Sequence, residues 1–247
     1  MSSHSYDLIK FKDNLLQLQI HLSEYQFDQF VHYYELLTEW NQVMNLTAIT
    51  EFEEVCTKHF IDSLSISTLF PNDIPPFPKE YTLIDIGTGA GFPGIALKIA
   101  FPQLRITLLD SLKKRITYLN EVVGQLQLED VETIHGRAED FAKETLLREK
   151  FDLCVSRAVA NLSTLSEYCL PYVKIGGYFI AYKSERAEEE IAMSTKAIEL
   201  LGAVICKQKE FVLPSSDIHR TLLVIQKVKE TPKKYPRKAG LPSKEPL

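Results

Sequence analysis

The sequence is poor in the features that mark several protein classes. Its four cysteines, Cys56, Cys154, Cys169 and Cys206, are scattered without a C-x-x-C pair, which speaks against a disulfide scaffold or a cysteine-rich zinc site. Cys56 and His59 are spaced like half a metal site, but no second half accompanies them, so no metal is expected. No apolar run approaches the roughly 18 residues that suggest a membrane span. The polar opening Met1-Ser-Ser-His-Ser lacks the apolar core of a signal peptide, and the expected location is the cytoplasm. The Asn45-Leu-Thr47 sequon carries no weight in such a chain. Internal repeats are also missing. What remains, 247 residues with 45% apolar and 25% charged, suits one α/β core with an appendage.

The net charge of -5 is unevenly distributed. From Lys227 onward there are seven cations (Lys227, Lys229, Lys233, Lys234, Arg237, Lys238, Lys244) against Glu230 and Glu245, so a basic, Pro-rich tail follows an acidic body. Such a tail reads either as an arm for phosphate-bearing partners or as a solvated, disordered end.

Hydrophobic periodicity divides the chain into a helical region over residues 1–70, a Pro-rich linker at 71–80, an α/β domain at 81–228 and the tail at 229–247. Ser23-Glu-Tyr-Gln26 has the capping-box pattern, with Phe27, Phe30, Val31, Tyr34 and Leu37 at helical spacing behind it. Thr50-Glu-Phe-Glu53 is read as a second box. Beyond the linker, strands are expected at 81–86, 104–109, 131–135, 151–155 and 177–182. Helices are expected from Phe92, at 112–126, near 138, at 161–170 and at 185–201. Strands 203–212 and 220–227 have no helix between them, so they form a hairpin, and the final strand runs antiparallel to an otherwise parallel, seven-stranded, doubly wound sheet.

The most informative stretch is Asp85-Ile-Gly-Thr-Gly-Ala-Gly-Phe-Pro-Gly94 behind the apolar run Tyr81–Ile84. A buried strand feeding a glycine-rich turn lets backbone approach a flat polar ligand, and the following helix points its N-terminus at it. Gly89-Ala-Gly91-Phe-Pro-Gly94 satisfies the dinucleotide spacing G-x-G-x-x-G, with Asp110 about 20 residues on. Asp85 tips the balance. Facing the ligand, it would repel a pyrophosphate, whereas S-adenosylmethionine carries a sulfonium and an ammonium and no phosphate. The expected cofactor is therefore S-adenosylmethionine on a Rossmann-like class I methyltransferase fold. The rival readings are a nucleotide-dependent oxidoreductase and a non-catalytic RNA-binding assembly factor.

At this point the chain resembles the small-subunit ribosomal RNA guanine-N7 methyltransferases, the RsmG or glucose-inhibited division protein B (GidB) family. The resemblance is carried by Trp40-Asn-Gln-Val-Met-Asn-Leu-Thr47, His59-Phe-Ile-Asp-Ser63, the glycine motif, Leu109-Asp-Ser-Leu-Lys-Lys-Arg115, Gly136-Arg-Ala-Glu139, Val155-Ser-Arg-Ala-Val159 and Tyr235-Pro-Arg-Lys-Ala-Gly240. It implies methylation of guanine N7 in 16S ribosomal RNA, as naked RNA or within the small subunit, by an enzyme expected to act as a monomer. It implies that Gly87 presents backbone to the methionine portion, that Phe92 packs on or near the cofactor with Asp85 and Gly89 also in its site, that Asp110 holds the ribose, that Ala138 and Glu139 bracket the adenine edge, and that Arg157 joins the cofactor site. The alternative for Asp110 is a helix cap, a role that can coexist with ribose binding, and Glu139 reads equally as a solvated first-turn acid. Asn45, His59 and Asp62 become substrate contacts or inter-helix hydrogen bonds. Lys113, Lys114, Arg115, Lys183, Arg186, His219 and Arg220 form a cationic rim for RNA or are solvated charges, and Trp40 is a stacking surface or helical core. No catalytic base is expected.

Overall fold

The computed structural model describes residues 6–70, 77–143, 146–157, 160–184 and 187–247. Seven strands, β1 (Thr82–Ile86), β2 (Arg105–Asp110), β3 (Val131–His135), β4 (Phe151–Arg157), β5 (Val173–Lys183), β6 (Ala203–Val212) and β7 (His219–Lys227), form one sheet in the order β3-β2-β1-β4-β5-β7-β6. The pairs among β1 to β5 are parallel, and β7 runs antiparallel between β5 and β6, as the missing helix between the last two strands implies. β5 starts before Gly176-Gly177 rather than after it.

The sheet is buried on both faces, so alternate residues of one strand enter different cores. Leu83, Val155, Ile180 and Leu222 join the cluster on one side; Ile84, Cys154, Phe179 and Leu223 join the other. The first side is covered by α1 (Ile9–Gln17), α2 (Glu24–Met44), the helical stretch from Phe52 to Leu69, α5 (Gly94–Ala100) and α6 (Lys113–Gln125). The second is covered by α7 (Ala138–Phe141), α8 (Leu162–Cys169) and α9 (Ala187–Leu200).

The N-terminal helices therefore share a core with the sheet. Ser23 and Gln26 cap α2 reciprocally, as their spacing predicts. Polar side chains of α2 reach across: Gln26 donates to the carbonyls of Ile99 and Ala100, Gln29 to that of Leu126, and the Tyr33 hydroxyl to that of Ala90 at 2.6 Å. Residues 71–76 of the expected linker lie outside the described residues, and Phe77 just beyond them is buried against Phe70, Tyr81 and Phe101.

Two local expectations fail. Thr50 does not open a capping box: α3 (Phe52–Val55) begins behind Glu51 with no side-chain cap, while the Thr50 carbonyl is taken by the Tyr34 hydroxyl. The basic tail is neither a free arm nor a solvated end. Arg237 forms a fork with the carboxylate of Glu167, which is fully buried on α8, and α10 (Leu241–Lys244) packs on that helix. A buried carboxylate needs such a partner, and the tail supplies it.

Candidate active site

Parallel strands aim their carboxyl ends at one edge of the sheet, and the connections leaving β1 and β4 diverge on opposite faces, which opens a crevice between them. A cavity of about 370 Å3 lies there. Its floor is the turn Gly87-Thr88-Gly89-Ala90 with Phe92; Asp110, Ser111 and Arg115 stand at one side, and Leu46, Thr47, His59 and Arg157 close the other.

Gly89 sits in the left-handed region at φ 62°, and a Cβ there would meet no protein atom nearer than 4.0 Å, so the space in front of it is left for a ligand. Gly94 serves a different end. A Cβ on it would strike Leu108 at 2.4 Å and Asp85 at 2.9 Å, so this glycine permits helix α5 to pack on the sheet.

Asp85 is where the structure departs most from the sequence reading. Its carboxylate is buried behind the turn and does not line the cavity. One oxygen accepts from the Thr88 hydroxyl (2.7 Å) and the Gly94 amide (2.8 Å), and the other has no partner. Burial pushes its carboxyl up to about 6. The residue braces the glycine turn from behind. Asp110 is the acid on the cavity wall: it accepts from the Gly89 amide (3.0 Å), the Leu112 amide (2.9 Å) and Arg115 (3.2 Å). It is not the cap of α6, whose first residue is Lys113 and whose N-cap position is Leu112.

Phe92 does not open a helix either; α5 begins at Gly94, and Phe92 belongs to the turn. Its ring supports the far wall, with the His59 imidazole stacked on it at 4.7 Å and the Arg157 guanidinium at 5.1 Å. His59 is delivered by a π-helical turn, Cys56–Ile61, a local widening of the helix that turns the Lys58 and His59 carbonyls toward Arg157 (3.3 and 3.4 Å). His59 Nδ1 faces Arg157 at 3.4 Å, so it accepts, and Nε2–H donates to the Thr47 hydroxyl at 2.8 Å. Burial first, then the Arg157 charge, drives the imidazole down to about 4, so it is neutral at pH 7.

Arg157 in turn donates to Asp62 (2.9 Å), whose second oxygen accepts from Arg220 (2.9 Å). Asp62 thus lies beneath the mouth, buried between two arginines, and does not reach over it. Arg220 belongs to a second cavity, of about 640 Å3, together with Lys183, Glu190 and Tyr182; this cavity and the first share His59 and Arg157 as a common wall.

The remaining expected residues go elsewhere. Neither Ala138 nor Glu139 lines the first cavity: the Ala138 carbonyl accepts from Tyr172, and the buried Glu139 carboxylate accepts the Gly240 amide of the tail at 2.8 Å. Asn45 is the exposed left-handed C-cap of α2. Lys113, Lys114 and His219 are exposed at element ends, whereas Arg115 faces the first cavity; Arg186 lies outside the described residues. Trp40 is half-buried and packs against Tyr118 of the core at 5.8 Å. Sequence reasoning missed Thr88, Ala90 and Ser111 in the first cavity and Tyr182 and Glu190 in the second. The β5 pattern places Tyr182 in the core, and Glu190 is hidden in the acidic run Glu188–Glu190.

The model of the GidB family, rRNA small subunit methyltransferase G, matches residues 26–219. The chain belongs to this family. Ribosomal RNA small subunit methyltransferase G of Alkaliphilus metalliredigens is 54% identical over 96% of this chain and 97% of that one. The Acetivibrio thermocellus and Oceanobacillus iheyensis proteins of the same name are 53% and 51% identical, over 92% and 96% of this chain and 91% and 98% of theirs. Among solved structures, a chain from the complex of the Haloferax volcanii Trm112 methyltransferase activator with a methyltransferase superposes with a TM-score of 0.54, at 14% identity, over 78% of this chain and 98% of that one. TrmN from Thermus thermophilus gives 0.51 at 11% identity, over 70% and 53%. These two bear on the fold alone. Family membership makes the chain a ribosomal RNA methyltransferase that uses S-adenosylmethionine, and it removes the oxidoreductase reading.

Proposed function

We propose that this chain methylates N7 of a guanine in 16S ribosomal RNA, with the cofactor in the first cavity and the base in the second. The observation that supports this reading is the common wall: two cavities meet at His59 and Arg157, so a donor in one and an acceptor in the other can face each other across a single point. When bound, S-adenosylmethionine supplies an activated methyl group, whose carbon–sulfur bond breaks as the N7–carbon bond forms and positive charge passes to the base.

The residues present suit that cofactor. Backbone at Gly87 and Gly89 receives the methionine portion. Asp110 keeps lone-pair capacity for ribose hydroxyls beyond the bonds it already accepts. The Phe92, His59 and Arg157 stack bounds the path to the second cavity. N7 carries no proton, so the reaction requires alignment and no general base. The common wall matches that need: the His59 ring nitrogens are both engaged, and its imidazole has little basicity at neutral pH. The exposed Lys113 and Lys114 offer positive charge to RNA phosphates beside the first cavity. We take the enzyme to act as a monomer. No described helix is long and apolar enough to cross a membrane, in keeping with a cytoplasmic enzyme.

Incubation with methyl-labelled S-adenosylmethionine and either small subunits or 16S ribosomal RNA from cells lacking the modification, followed by nucleoside mass analysis, tests the proposal. It predicts 7-methylguanosine. A different methylated nucleoside, or no transfer to either substrate, overturns it.

A further inference from the structure

We propose that Lys183 and Glu190 read the Watson–Crick edge of the target guanine, and that Glu190 also stabilises the charge that methylation places on the base. The proposal rests on guanine N7 being the acceptor.

The second cavity contains several charged groups, most of them already committed to one another. Asp62 has one oxygen on Arg157 and the other on Arg220, and His59 has both ring nitrogens engaged. Lys183 and Glu190 are also paired, but each keeps unused hydrogen-bonding capacity. The Lys183 ammonium, 11% exposed, donates to the Ala160 carbonyl (3.1 Å) and to Glu190 Oε1 (2.8 Å). An ammonium has three donors, so one N–H is left. Glu190 Oε1 also accepts the Leu162 amide at 2.5 Å, so one oxygen takes both bonds and Oε2 is left. Both side chains are fixed by these bonds, and together they present a donor beside an acceptor to the cavity they line.

That pattern is the complement of guanine. Its Watson–Crick edge offers O6 as acceptor, then N1–H and the N2 amino group as donors, so the free ammonium proton meets O6 while the free carboxylate oxygen takes N1–H and N2–H. Adenine presents the reverse order, an amino donor at C6 and a bare acceptor at N1, and would set lone pair against carboxylate. N7 lies outside this edge and stays open to the methyl donor. As the N7–carbon bond forms, the ring becomes positive and N1–H a stronger donor, so the hydrogen bond to Glu190 tightens on the way to the transition state. An interaction stronger in the transition state than in the ground state accelerates the chemical step.

A purely structural role for Glu190, as the acceptor for the amide that opens α8, makes a different prediction, and inosine separates the two. Inosine retains O6 and N1–H and lacks only the N2 amino group. The experiment compares single-turnover methyl transfer to 16S ribosomal RNA ligated with guanosine or inosine at the target position, using the wild-type enzyme and Glu190→Gln, with S-adenosylhomocysteine affinity measured by calorimetry. The wild-type enzyme should favour guanosine by about tenfold, the discrimination expected of one lost base-edge contact. Glu190→Gln should lose about 100-fold in rate on guanosine, keep its S-adenosylhomocysteine affinity, and no longer discriminate between the two bases. Equal wild-type rates on guanosine and inosine overturn the proposal without recourse to any variant. So does a Glu190→Gln enzyme that is slow yet retains the full preference for guanosine. The identity of the wild-type product is read separately, so a nucleoside other than 7-methylguanosine would mark failure of the underlying reading and not of this pair.

Discussion

The two sides of the first cavity are built on different principles. The sheet side is backbone: a glycine turn braced from behind by Asp85 and tied to Asp110 through the Gly89 amide. The helical side is a chain of side chains, Thr47 to His59 to Arg157 to Asp62 to Arg220, in which each group orients the next. A backbone wall tolerates most changes around it and fails where a side chain intrudes. A side-chain wall transmits any single loss along its length and into the second cavity.

The largest expected effect breaks the helical side. Asp62→Ala leaves two partly buried guanidinium groups without their carboxylate and should cost about 3 kcal/mol in urea unfolding, with methyl transfer lost as well. A variant as stable as wild type would show that the arginines do not depend on Asp62. On the sheet side, Gly89→Val should cost roughly 2 kcal/mol for its left-handed backbone and weaken S-adenosylhomocysteine binding at least tenfold. The matched control is Gly124→Ala in α6, where a Cβ meets nothing within 4 Å; it should stabilise by about 0.5 kcal/mol and leave binding unchanged. Equal binding losses in both would erase the contrast between the sites.

Smaller still is Thr47→Val. It removes the acceptor shared by His59 and the Ile49 amide and should cost about 1 kcal/mol, visible as a lowered melting temperature. A further effect is in pH, where two groups pull in opposite directions. His59 titrates near 4 in the folded chain against an ordinary 6.5, so the unfolded chain takes up a proton first and stability falls as pH drops through that window. Asp85 acts in the opposite sense: raised from 3.8 to about 6, it gains its proton early in the folded chain and stability rises as pH drops from 6 toward 4. Asp85→Asn abolishes the second contribution alone, so its melting temperature should fall more steeply than wild type between pH 6.5 and 4. Parallel profiles would mean that Asp85 does not titrate there.

The sheet side was legible in the sequence, and the helical side only in part. Alternating strand and helix patterns gave the seven strands and the antiparallel β7, and the glycine spacing located the turn. The same motif misled at Asp85. Period-two alternation along β1 assigns it a face of the sheet, and whether that face meets ligand or protein depends on Gly94 and α5 closing over it. The motif His59-Phe-Ile-Asp-Ser63 drew attention to the right residues, yet nothing in their order signals a π-helical turn, and the partners of Asp62 lie 95 and 158 residues away. Composition saw the tail as surplus positive charge. It has no means of seeing that Arg237 answers Glu167, because that pairing exists only once the helix is packed.

The docked tail also bears on how the fold is completed during synthesis. Glu167 and Glu139 are translated 70 and 101 residues ahead of the groups that neutralise or hydrogen-bond them. A nascent chain that has reached residue 236 therefore holds all seven strands and still carries two inward-facing acids with no counterpart. Both acids are answered only once Arg237 and Gly240 have been made and fold back onto α8 and α7.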